Sequence, residues 1–60
     1  MENEQLFNDY KETQITIIEW SIEDAMDDDN IEAVNELKKT LVKVQDTKTM
    51  EELVNVLQQQ

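Results

Sequence analysis

Along residues 3–26, apolar side chains return at the spacing that one side of a helix collects. Phe7, Tyr10, Ile17, Ile18, Ile22 and Ala25 form a stripe, with Leu6, Ile15, Trp20 and Met26 on its shoulders. Asp9, Glu12, Thr16, Glu19 and Glu23 fall on the opposite side. The spacing predicts an amphipathic helix with a wide apolar arc around its centre. A strand over QITIIEWSI, residues 14–22, is the rival reading, because that stretch is β-branched and partly alternating. Helix is preferred, since the stripe continues on both sides and no turn residue bounds the segment.

The chain has no Gly and no Pro, so its boundaries have to be read from caps. Asp29 stands three residues before Glu32, the spacing of a capping box, and apolar residues follow at Ile31, Val34, Leu37, Leu41 and Val44. A second helix is expected over about 30–45, with Lys38, Lys39 and Lys43 toward the end where the helix dipole favours cations. Thr49 and Glu52 repeat the capping pattern ahead of Met50, Leu53, Val54 and Leu57, which predicts a third helix over about 50–58. The terminal QQQ is expected to fray. At 1.5 Å per residue these helices span roughly 36, 22 and 15 Å, so the second and third together match the first in length and are expected to run back along it. The turn over residues 27–29 makes an antiparallel hairpin natural. The expected fold is all-α: one domain, residues 1–60, with a long first helix and two shorter ones.

Length then changes the picture. A chain of this size buries only about 60% of the surface its unfolded form exposes, and small chains draw on disulfides, a structural metal or self-association. With no Cys and no His, disulfides and a structural zinc site are both excluded. Helix one also carries more apolar surface than two short helices can cover. A homodimer is therefore expected, a tetramer being the alternative, with the first helix and Trp20 packed against a twofold mate, and with Phe7, Tyr10, Ile17, Ile18, Ile22, Leu37, Leu41, Leu53 and Leu57 as dimer or core residues.

Charge narrows the partners. The formal net charge is −10, and it is uneven: residues 1–36 hold twelve acids and one lysine, residues 37–60 three acids and four lysines. Such a field repels nucleic acid and anionic membrane and attracts basic proteins. The amino terminus, MENEQLFNDY, is acidic where a secretory signal is basic, and no apolar run approaches a membrane span, so a cytoplasmic location is expected.

The residue types of catalysis are mostly missing. There is no His, Cys, Arg or Gly, and Ser21, the single serine, has no base to activate it. The chain is expected not to be an enzyme and to need no cofactor. The acidic run in IEDAMDDDNIEA invites comparison with a calcium loop. Counted from Asp27, however, Ile31 falls at position 5, Glu32 at 6 and Lys38 at 12, where an EF-hand needs an oxygen ligand, Gly and Glu. No specific metal site is expected.

What remains is the acidity itself. From Glu19 to Glu36 there are eight acids and no base, more than a turn and a cap require. Solubility is the bland explanation. The sharper one is a negative patch, Glu19, Glu23, Asp24, Asp27, Asp28, Asp29 and Glu32, that docks on a basic protein surface such as that of a nucleic-acid-binding enzyme, with Trp20 as a candidate anchor. In its shortness, acidity, helical character and central EDAMDDDNIEA, the chain resembles small phage-encoded proteins that inhibit bacterial enzymes or anti-phage defence systems. The resemblance covers overall character and implies binding and blocking without catalysis, by DNA mimicry, active-site occlusion or trapping of an oligomer. The alternative is a structural or adaptor dimer, or a small regulatory subunit, that uses apolar helix faces for contact and its acids for solubility.

Overall fold

The computed structural model describes residues 2–59. Three helices follow in order, α1 over Glu2–Asp27, α2 over Ile31–Gln45 and α3 over Met50–Gln58, with no strand among the described residues. Of the terminal QQQ, Gln60 lies outside the described residues. Gln58 is still helical, and the Gln59 amide donates to the Val56 carbonyl at 3.2 Å.

The β-branched stretch QITIIEWSI is helical throughout. Its hydroxyls are satisfied within the helix: Thr16 Oγ1 donates to the Glu12 carbonyl at 3.0 Å and Ser21 Oγ to that of Ile17 at 3.0 Å. Back-bonding of this kind removes the need for an outside partner. Burial of Ile18 against α2 and α3 supplies what local propensity does not.

The first turn corrects a cap expected from the sequence. Asp29 is not the N-cap of α2. Its φ is 56°, in the left-handed region, and its amide donates to the Met26 carbonyl at 3.0 Å while that of Asn30 donates to Ala25 at 2.8 Å. These two bonds are the Schellman lock that ends a helix at a left-handed residue. In a chain without Gly that position falls to Asp, among the residues that best tolerate it. Capping of α2 passes to Asn30, whose Oδ1 accepts from the Ala33 amide at 3.2 Å. At the start of α3, Thr49 caps as its sequence context suggests. Its hydroxyl oxygen accepts from the Glu52 amide at 3.2 Å, and Glu52 Oε1 accepts from the Lys48 amide at 3.2 Å.

Helix α2 runs back antiparallel along α1, and its far end is held by one side chain. Lys11 Nζ donates to the carbonyls of Gln45 at 2.9 Å and Thr47 at 2.6 Å, and lies 5.5 Å from the centre of the Phe7 ring. Helix α3 departs from the expected arrangement. It does not extend α2 along α1 but reverses against α2: one groove between them is lined by Leu37, Thr40 and Lys43 with Val56 and Gln59, the next by Lys43 and Asp46 with Glu52 and Asn55. The reversal is made at buried Thr47, whose Oγ1 donates to the Val44 carbonyl at 2.6 Å, so no polar atom there is left unpaired.

The resulting rod measures 42 × 17 × 15 Å, its length set by α1. Its core is small. Ile18, Val44 and Leu53 are buried together, one from each helix, with Phe7, Ile15, Ile22, Leu37, Leu41, Val56 and Leu57 packed around them. Ala25 and Val34 are buried as well, at the hairpin end. No helix among the described residues is long and apolar enough to cross a membrane.

Candidate functional site

Successive residues of a helix are about 100° apart, so Ile17 and Ile18 cannot share the centre of one face. The structure resolves the wide apolar arc of α1 into two stripes. Phe7, Ile15, Ile18, Ile22 and Ala25 turn into the hairpin. Leu6, Tyr10, Ile17 and Trp20 turn away from it and are 63%, 40%, 45% and 63% exposed. With Thr13 between them, these residues are spaced 4, 3, 4 and 3 apart, the spacing of a coiled-coil seam. Tyr10 and Ile17 thus lie off the core that Phe7, Ile18, Ile22, Leu37, Leu41, Leu53 and Leu57 build. Trp20 lies on the same outward stripe, beside a shallow groove lined by Asp9, Glu12, Thr13, Thr16 and Ile17.

Every acid of the sequence-derived patch is exposed: Glu19, Glu23, Asp24, Asp27, Asp28, Asp29 and Glu32. Glu19, Glu23 and Asp27 follow one line along α1, four residues apart. Asp24 lies on the Trp20 line, Asp28 and Asp29 form the turn, and Glu32 opens α2. The fold gathers Glu23 through Glu32 at the tip of the hairpin, with Glu19 and Trp20 one turn behind. Among the described residues no lysine pairs with these acids; the ion pair nearest in sequence is Lys39 with Glu36, at 3.8 Å and fully on the surface.

Helix dipoles account for only part of this acidity. Glu32 stands in the first turn of α2, where negative charge is favourable. Asp24 and Asp27 stand in the last turn of α1, which carries no base, and Asp28 follows at once. There the partial charge is negative and each added carboxylate destabilises the helix end. The pairs Glu19–Glu23, Glu23–Asp27 and Asp24–Asp28 are also like charges four residues apart, each unfavourable by roughly 0.2–0.5 kcal/mol. The tip is therefore more acidic than its own helices favour. Among the described residues no ion pair offsets that cost.

Other candidates hold less. Ser21 is half-buried and its hydroxyl is spent on the Ile17 carbonyl. Among the described residues no group of three carboxylates is placed to hold one metal ion. Lys38, Lys39 and Lys43 are exposed on α2, with Lys43 in its last turn.

Two features escaped the sequence reading. The second stripe was merged with the first, although its 4-3-4-3 spacing is visible once Ile17 and Ile18 are assigned to different faces. Lys11 drew no attention, yet a lone lysine in an acidic half, four residues from Phe7 and from Ile15 on the core side, is the signal of a side chain reaching backbone oxygens across the hairpin. The architecture and surface together describe an all-α three-helix rod with an uncovered apolar stripe on α1, further exposed apolar residues at Met26, Ile31 and Val42, and an acidic end. No family model, curated protein or solved structure matches the chain.

Proposed function

We propose that this chain is a non-catalytic protein-binding module whose acidic hairpin tip docks on a basic protein surface. The observation that carries the reading is the surplus of carboxylates at the wrong end of the α1 dipole, a cost in stability that no ion pair among the described residues offsets. Glu23, Asp24, Asp27, Asp28 and Asp29 steer the encounter, and Glu19 and Glu32 widen the field. A surface of this sign excludes direct binding to nucleic acid or anionic membrane and suits a protein groove that normally holds nucleic acid. The partner is a cytoplasmic enzyme, and blocking it is the outcome expected of a small acidic inhibitor of the phage-encoded, anti-defence kind. No cofactor is involved. The docking unit is a homodimer, which presents the tip twice and gains avidity where both copies engage.

Capture from bacterial lysate on immobilised protein, with the triple variant Asp24→Asn, Asp27→Asn, Asp28→Asn alongside, tests the docking mode. A partner retained by the native chain should elute with rising salt, be displaced by duplex DNA and be lost from the variant. Retention of the same partner by the variant, at unchanged salt dependence, favours an adaptor that binds through the outward stripe of α1 instead.

A further inference from the structure

We infer that the occupant of the outward α1 stripe is a second copy of this chain, laid antiparallel across Leu6, Tyr10, Thr13, Ile17 and Trp20 with the twofold axis at Thr13. The inference deepens the homodimer of the proposed function and fixes its geometry; it does not depend on what the acidic tip binds. Three observations carry it. The first is the seam itself, whose 4-3-4-3 spacing fits another helix, and whose members between residues 6 and 20 bear no charge on a molecule of net −10. Gln14, Thr16 and Ser21 on its flanks are neutral, while Asp9 and Glu12 line the groove beside Thr13 and are the charges an antiparallel mate has to accommodate.

The second is Thr13. It stands midway between Leu6 and Trp20, small enough for two backbones to come close, and its hydroxyl already donates to the Asp9 carbonyl at 2.9 Å. Burying it strands no donor. An antiparallel pair centred there sets Leu6 of one copy against Trp20 of the other and Tyr10 against Ile17.

The third is charge, which decides the orientation. Residues 19–29 hold six acids and no base, while residues 1–13 hold four acids and one lysine. A parallel pair would bring two six-acid ends within one interaxial distance, about 8–10 Å, where salt screens little. The antiparallel pair sets each acidic end against the less charged end of its mate, and places the two Asp24 positions about 33 Å apart. One helix from each copy makes the whole seam, which places the contact among the smaller specific interfaces, so its assembly is to be read across micromolar concentrations. The dimer would then carry one acidic tip at each end and engage two separate basic sites.

The chain has no cysteine, so single-cysteine variants report distances cleanly. Under mild oxidation Thr13→Cys should yield a covalent dimer and Asp24→Cys should not, while Trp20→Ala should sediment as a monomer where the native chain is dimeric. Efficient cross-linking of Asp24→Cys would establish a parallel pair and overturn the inference. A native dimer in which Thr13→Cys fails to link, or a native chain that stays monomeric at 100 micromolar, would remove the seam as the contact. The tip's binding to a basic partner is read separately by the triple Asn variant.

Discussion

Lys11 ties the first half of α1 to the end of α2. Its ammonium takes up two carbonyls at the end of α2, Gln45 and Thr47, that no helical amide reaches, while its stem lies against Phe7. Lys11→Met keeps the stem and removes the donor. It should lower stability by about 1–2 kcal/mol, a fall of roughly 5–15 °C in Tm, as read by circular dichroism on melting. Lys38→Met, on the exposed side of α2, should change little. Asp29 bears the opposite expectation. Its φ of 56° is one that Gly holds without strain, so Asp29→Gly should raise stability by about 0.5–1 kcal/mol in urea titration. A loss of stability would mean that the Asp29 carboxylate does something for the turn beyond occupying it.

Among the elements, α1 departs most from its own preferences. Its closing turn carries acids where cations are favourable, and its like charges stack four apart toward the tip. Neutralising two of them, Asp27→Asn with Asp28→Asn, should therefore raise Tm, and added salt should raise the Tm of the native chain more than that of the variant. A native melt insensitive to salt would mean that like-charge repulsion at the tip does not limit stability. The elements were legible because their signals are local: Thr49 with Glu52, and the run Val34, Leu37, Leu41 and Val44, each point to a helix within a few residues. The cap of α2 was misassigned because Asp29 and Asn30 both favour caps, and only the left-handed turn between the helices decides which of them is free to serve. The direction of α3 was not legible at all. It depends on Thr47 being buried with its carbonyl held by Lys11, a contact between residues far apart in the chain. The acidic tip could be read as a set of residues; that most of it opposes the α1 dipole became visible only with the helix end placed at Asp27.

On the scale of the whole molecule, α1 presents three different sides: one to the core, one bare and apolar, one acidic. The core side builds a cluster of only three fully packed residues, Ile18, Val44 and Leu53, which is little for a chain of sixty. The bare side holds two of the most exposed large apolar residues, Leu6 and Trp20, on one line with Tyr10 and Ile17, and a contiguous apolar stripe is what an interaction surface presents. The proposed second copy would cover that stripe without bringing the acidic ends together. Sedimentation across a dilution series, with Trp20 emission recorded on the same samples, tests this most directly. An antiparallel pair should give twice the 7.1 kDa chain mass at tens of micromolar, with the indole emitting at shorter wavelength, and a shift toward longer wavelength as the pair separates on dilution. A mass of one chain at every concentration, with emission that never moves, would contradict it.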